Sequence, residues 1–295
     1  SQHRTAGTQF RAGVFTNLTQ DHLDYHGTMQ SYRDTKKELF DNLPESSVAV
    51  TNNDDPSGIA MVADSSAAVT TYGQSEGSDI RFEILENVLG GLTLTLDGRL
   101  FKSEFVGEFN AYNLAASYAT AVAMGIPSAQ VRRGLQDAKP VPGRFERLQV
   151  PQGPTAIVDY AHTPDALENV LKTVRDIVGE DTKVVCVFGC GGDRDATKRP
   201  LMAAIAERLA DRVIVTNDNP RTEDPERIFA DIRSGMSRPE DAIWQQDRAV
   251  AIREGIQTAS RSEIVVVAGK GHETYQVNGT ERIHFDDREI IRGLA

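Results

Sequence analysis

From residue 155 onward, four short apolar runs alternate with amphipathic stretches, two of which lie between the third run and the fourth. "TAIVDYAH" (155–162), "KVVCVFG" (183–189), "DRVIVT" (211–216) and "SEIVVVAGKG" (262–271) read as strands rich in Val and Ile. "TPDALENVLKTVRDIV", "TKRPLMAAIAERLA", "DPERIFADIRSGM" and "DRAVAIREGIQTA" read as helices, the first with Thr163 as N-cap and Pro164 at its first position. Strands that are apolar throughout are buried on both faces. Strict alternation with helices then demands a mostly parallel sheet covered by helices, a Rossmann-like α/β arrangement.

The preceding half is mixed. "SYRDTKKELFDNL" reads as a helix, "SSVAVTNND" and "AAVTTYG" as strands, and "DIRFEILENVLGGLTLTLDGRLFKSEF" as an antiparallel hairpin. "GEFNAYNLAASYATAVAMGI" is a long helix stopped by Gly125, with Asn110 expected as its N-cap. The Pro- and Gly-rich "AKPVPGRFERLQVPQGP" is expected to be the domain boundary, giving domains 1–149 and 150–295.

Net charge is −11, which argues against a general nucleic-acid binder while leaving room for local anion sites. Cys186 and Cys190 are too few for a disulfide framework or a zinc site and read as reduced cysteines of a cytoplasmic protein. This sequence reads as having no signal peptide and no apolar run of membrane-spanning length. The opening "SQHRTAGTQF" reads as cut from a longer chain.

In a doubly wound sheet, ligands sit outside the carboxyl ends of the strands. All four strand ends here are polar: Asp159-Tyr160-Ala161-His162, "GCGGDRDATKRP", "NDNPR" and "GKGHE". Neither glycine-rich run has the spacing of a nucleotide-binding fingerprint, and a GxGxxG dehydrogenase reading is disfavoured. The edge offers Arg194, Arg221, Glu273 and free backbone at Gly269. Arginine forks pair with carboxylates and a glutamate accepts an ammonium, so the set is complementary to an amino acid carrying more than one carboxylate. The glycines of "GCGGDRD" are expected to let Arg194 approach a ligand closely.

The first half holds a dense stretch, "FTNLTQDHLDYHGTMQSYRDTKKELF". His22, Asp24 and His26 suit a metal loop or plain polar capping. Lys36 and Lys37, by residue type alone, read as a solvated helix face. Asn113 lies near a helix start, and Arg144 lies in the linker within reach of a ligand.

In their order along the chain, FTNLTQDHLDYHG, YRDTKK, GEFNAYNLAAS, PGRFERL, VDYAHTPDAL, FGCGGDRDATKRPLM, TNDNPR and AGKGHE resemble the Mur ligase family, in its UDP-N-acetylmuramoyl-tripeptide synthetase branch. The resemblance covers nearly the whole chain. It implies an α/β fold: a mixed-sheet central ATP-binding domain, N-terminally truncated, followed by a Rossmann-like amino-acid-binding domain. It implies a cytoplasmic, monomeric, ATP-dependent ligase of peptidoglycan synthesis. Such an enzyme phosphorylates the terminal carboxylate of UDP-MurNAc-L-Ala-D-Glu, and the amine of meso-diaminopimelate attacks the acyl phosphate. No membrane or nucleic-acid partner is implied.

By the same resemblance, Lys36 falls on a carbamylated lysine that helps hold Mg2+, and His22 on a metal-proximal histidine. Gln2 and Arg4 fall on contacts to the UDP-muramoyl substrate. Asn113, Arg144 and Asp159 fall on the ATP site. Arg194, Asp218, Asn219, Pro220, Arg221, Gly269 and Glu273 fall on the amino-acid pocket, where Pro220 is expected to stiffen the turn that presents Arg221. The family's GxxGKT phosphate loop is absent from this sequence, and the chain is expected not to turn over alone. The alternatives are a lysine-adding ligase, a folylpolyglutamate synthase relative and a non-catalytic binding fragment. A distal carboxylate for Arg221 and Arg194 favours diaminopimelate over lysine.

Overall fold

The computed structural model describes residues 7–19 and 26–294. The chain divides into two compact units, 1–139 and 140–295.

In the first unit, β1 (Ala12–Phe15), β2 (Val48–Asn52), β3 (Ala68–Gly73), β4 (Ile80–Val88), β5 (Gly91–Leu96) and β6 (Arg99–Ser103) form one sheet in chain order. The first four strands are parallel and β4, β5 and β6 are antiparallel, so the sheet is mixed. Successive residues of a strand face opposite sides. On β2, Ala49 joins a core with Phe15, Phe40, Leu43 and Met61, while Val50 joins the opposite core with Tyr72, Phe82, Leu94, Phe101, Leu114 and Tyr118. The first core takes α1 (Met29–Asp41) and α2 (Gly58–Val62), and the second takes α3 (Glu108–Ala123). A further helix, α4 (Ser128–Asp137), follows α3.

The expected hairpin over 79–105 is a three-stranded meander, because turns at Gly90-Gly91 and at Asp97-Gly98 both reverse the chain. Asn110 does not cap α3. Gly107 is the N-cap residue, at φ 94°, and the Asn110 amide donates to the Val106 carbonyl at 2.7 Å.

In the second unit the sheet order is β11 (Ile243–Trp244), β10 (Arg212–Val215), β9 (Val184–Phe188), β12 (Ile264–Ala268), β8 (Thr155–Asp159) and β7 (Glu146–Gln149). All neighbours are parallel except β7, which runs antiparallel to β8. That pairing attaches residues 140–149 to the second unit, ten residues earlier than the expected boundary. Between the strands lie α5 (Pro164–Val178), α6 (Lys198–Leu209), α7 (Pro225–Arg233) and α8 (Arg248–Gln257). Thr163 caps α5, its hydroxyl accepting from the Ala166 N–H, and Pro164 stands in the first turn. The chain ends in a hairpin, β13 (Tyr275–Asn278) with β14 (Glu281–His284), and a short helix α9 (Asp287–Arg292).

Every residue of β9 and β12 is buried, as their uninterrupted apolar runs require. Fully burying a Val or Ile side chain contributes about 1.5–3 kcal/mol, so these two strands anchor the unit. Register then aligns the strand ends: Ala268 lies beside Asp159, and Val215 beside Phe188. The loops that follow β8, β9, β10 and β12 therefore leave the sheet along one edge. Among the described residues, no helix is long and apolar enough to cross a membrane.

Candidate functional site

The site is built from those four loops. After β9, the run Gly189–Gly192 lies directly against the loop after β10. A Cβ on Gly189 would stand 2.1 Å from the Thr216 carbonyl oxygen, and one on Gly192 would stand 1.9 Å from that of Pro220. Only glycine fits either place. Gly189 and Gly192 thus serve loop-on-loop packing. Arg194 itself is exposed. Its Cγ and the Arg221 Nη1 flank Gly191, at 3.7 and 2.9 Å from where a Cβ on that glycine would sit.

Arg199 fastens the same two loops from beneath. It is fully buried, donates from Nη2 to the Gly191 carbonyl at 3.1 Å, and binds Glu223 through Nη1 and Nη2, each at 2.7 Å. Asp231 accepts a further bond at 2.7 Å. This bidentate pairing pulls the Glu223 carboxyl down to about 2.

Arg221 adopts the left-handed backbone region, φ 54°. Such a conformation is costly for a residue with a long side chain and persists only where neighbours enforce it. The hairpin does so. The Arg221 N–H donates to the Val277 carbonyl at 3.1 Å, and the Arg221 carbonyl accepts from the Gly279 N–H at 2.7 Å. Gln276 donates to the Asp218 carbonyl at 2.7 Å, and Val277 N–H to Asn219 Oδ1 at 2.9 Å. Pro220 is buried in this loop but makes none of these bonds. The Arg221 side chain donates from Nη1 to the Gly192 carbonyl at 2.8 Å, which fixes one end of the fork.

Behind Arg221, Asn219 is buried and bridges two loops: its Nδ2 donates to Glu273 Oε2 at 3.1 Å, and its Oδ1 accepts from Lys270 Nζ at 3.1 Å. Lys270 also donates to Glu273 Oε2 at 3.0 Å. Burial pushes the Glu273 carboxyl up, but the Asn219 amide and the Lys270 ammonium outweigh it, and the group is held below its ordinary value. Asp218 is buried, and a Cβ on Gly269 would stand 2.7 Å from its Oδ2, so Gly269 (φ 118°) is required by both space and backbone angle.

Asp159 ends β8 and is buried. Burial raises its carboxyl above the usual range, and the Phe145 N–H donating at 2.7 Å and the Arg144 charge offset this only in part. Arg144 is exposed and lies over the Tyr160 ring, 4.5 Å from its centroid. Tyr160 also meets the rings of His162 and His272.

In the first unit, Asn113 is exposed and its amide meets Asn110 Oδ1 at 3.3 Å. Of the tandem lysines on α1, Lys37 binds Asp41 at 2.5 Å and Asp64 at 2.7 Å, whereas Lys36 lies over the Tyr32 ring at 4.8 Å. Gln2, Arg4, His22 and Asp24 lie outside the described residues. Among the described residues no group of three or more His, Cys, Asp or Glu side chains is placed to hold a metal ion.

The structure thus gathers Asp218, Asn219, Pro220, Arg221, Gly269 and Glu273, with Arg194 at the rim, and separately Arg144 with Asp159. The sequence reading missed Lys270, Arg199, Gln276 and Val277. A lysine between two glycines at a strand end was the available signal for Lys270. Nothing local marks the others.

The arrangement can be compared with known proteins. The model described as "Mur ligase middle domain" matches residues 1–121, and that described as "Mur ligase, glutamate ligase domain" matches residues 143–271. The chain belongs to the Mur ligase family. Among curated Mur ligases it is 43% identical over 296 residues to the UDP-N-acetylmuramoyl-L-alanyl-D-glutamate–2,6-diaminopimelate ligase of Phocaeicola vulgatus, covering 100% of this chain and 61% of that protein. A solved structure of a diaminopimelate ligase of the same description shares 37% identity at a TM-score of 0.61, covering 99% of this chain and 61% of its own. A folylpolyglutamate synthase from Thermotoga maritima has the same fold, TM-score 0.64, over 88% of this chain and 57% of its own, but only 19% identity. The chain therefore spans about 61% of the length of the Mur ligase named first.

Proposed function

We propose that this chain forms part of an ATP-dependent ligase that adds meso-diaminopimelate to UDP-MurNAc-L-Ala-D-Glu. The observation that carries the reading is the Asp218–Arg221 loop, with Arg221 locked beside Gly192 and with Glu273 and Asn219 behind it. The likeness to ligases named for 2,6-diaminopimelate supports it.

In the proposed reaction the substrate carboxylate attacks the γ-phosphorus of ATP, ADP leaves, and an acyl phosphate forms. The amine of diaminopimelate then attacks the acyl carbon. The tetrahedral intermediate loses phosphate, the nitrogen loses a proton, and the amide remains. Within this scheme Arg221, aided by Arg194, takes the distal carboxylate. Glu273 takes an ammonium, and Asp218, Pro220 and Gly269 shape the pocket wall. Arg144 and Asp159 are proposed ATP contacts, as is Asn113. Gln2 and Arg4 are proposed contacts to the UDP-muramoyl substrate. The reading carries with it a cytoplasmic, monomeric enzyme.

Lys36 is the proposed carbamylated lysine and, with His22, a proposed Mg2+ ligand. Its ammonium lacks a carboxylate partner among the described residues, whereas that of Lys37 has two.

Calorimetric titration of the chain with meso-diaminopimelate and with L-lysine tests the reading. Selective uptake of diaminopimelate is expected. Equal or stronger uptake of lysine would replace it with the lysine-adding reading.

A further inference from the structure

We propose that Lys270 is a positioning residue of the amino-acid pocket: it fixes the Glu273 carboxylate and the Asn219 amide in the orientation that receives an ammonium-bearing ligand. The inference deepens the reading given under Proposed function and rests on it.

A fully buried lysine is rare, and an ammonium taken out of water is costly unless it is paired and hydrogen-bonded. Lys270 is completely buried. Its backbone neighbours are bent to put it there: Gly269 has φ 118° and Gly271 has φ 52°. A Cβ on Gly271 would stand 2.5 Å from the Gly143 carbonyl oxygen, so the loop passes too close to its neighbour for any side chain but hydrogen. The two glycines turn the chain sharply on both sides of one inward-pointing lysine.

The lysine serves two loops at once. One Nζ proton goes to Asn219 Oδ1 at 3.1 Å, on the loop after β10. Another goes to Glu273 Oε2 at 3.0 Å, one turn further along its own loop. The Tyr275 ring lies 5.5 Å from Nζ. A buried ammonium spent in this way acts through Glu273 and Asn219 rather than by touching a ligand.

The consequence lies in the two oxygens of Glu273. Oε2 is taken by Lys270 and by Asn219 Nδ2. Oε1 meets only the Tyr275 hydroxyl, at a long 3.5 Å, among the described contacts. Oε1 is therefore the atom that accepts the incoming ammonium, and the Lys270 bond to Oε2 sets its direction. Without Lys270, the half-buried carboxylate turns toward solvent and Asn219 Oδ1 retains only the Val277 N–H. A buried ion pair adds little net stability but can specify geometry.

The test uses the full 295-residue chain. Wild type, Lys270→Met and Lys270→Gln are titrated with meso-diaminopimelate by calorimetry, their melting is compared, and the Glu273 carboxyl is followed by 13C NMR against pH. Lys270→Gln is neutral and shorter, so it loses the charge and the reach to both Asn219 and Glu273 while staying polar, and it supplies the answer if the Met variant does not fold. At least tenfold weaker binding in a folded variant is expected, with Glu273 titrating at higher pH than in wild type. A folded variant that binds as tightly as wild type overturns the role of Lys270 and leaves the proposed function standing. Absence of binding by wild type removes the amino-acid reading and this inference with it.

Discussion

The main-chain N–H of Arg221 donates to the Val277 carbonyl at 3.1 Å, and this bond ties the arginine to a hairpin more than fifty residues away in sequence. The expectation that Pro220 holds Arg221 in place is therefore incomplete. A proline fixes its own φ and restricts the residue before it, not the one after. The left-handed turn at Arg221 is held from outside, by Val277 and Gly279 on its backbone and by Gln276 on the Asp218 carbonyl.

Gln276→Ala removes one of these tethers and leaves every ligand-facing side chain intact. A net loss of about 1 kcal/mol is expected, the usual worth of one hydrogen bond. Urea denaturation at constant m-value measures it. Affinity for diaminopimelate should fall severalfold in the same variant, since Asp218 and Arg221 share the loosened loop.

Gly192→Ala tests the packing of the two loops. The added Cβ would begin 1.9 Å from the Pro220 carbonyl oxygen, so the backbone has to move. Overpacking of this kind costs roughly 1–3 kcal/mol. A melting temperature unchanged from wild type would contradict the described contact.

Glu223 gives a pH signature. Its folded carboxyl sits at about 2, because Arg199 binds it on both oxygens. An unfolded glutamate titrates near 4.3. The unfolded chain therefore binds more protons at pH 3–4, so the contribution is fully present above about pH 4.3 and is lost as pH falls toward 2. Arg199→Met should flatten that part of the stability–pH curve relative to wild type.

Cys186 and Cys190 are both buried, and burial pushes each thiol up to about 12. Thiolate is the reactive form. Neither should react with a disulfide reagent at pH 8 until denaturant is added. Labelling of the native protein within minutes would contradict their placement.

What could be read from the sequence follows from burial. The strands Val184–Phe188 and Ile264–Ala268 are buried at every residue, so their apolar runs announced them. The helix Ser128–Asp137 buries only Val131, and one residue makes no apolar stripe. The strand Glu281–His284 is exposed throughout and carries no alternation. The site divides in the same way. Asp218, Asn219, Arg221 and Glu273 stood out as polar residues at strand ends. The two glycines beside Lys270 hinted at a bend, but the angles that turn it inward are not written in residue type, and the bonds from Val277 and Gly279 come from backbone groups, which leave no mark on residue type.

The central claim is that Arg221 reads a distal carboxylate, and the most direct measurement is the ratio of affinities for meso-diaminopimelate and L-lysine, by calorimetry, in wild type and Arg221→Ala. Losing a hydrogen-bonded charge pair costs roughly 2–5 kcal/mol. Wild type is predicted to prefer diaminopimelate, and Arg221→Ala to lose that preference while lysine binding stays the same. A variant that still prefers diaminopimelate by the wild-type margin would contradict the account.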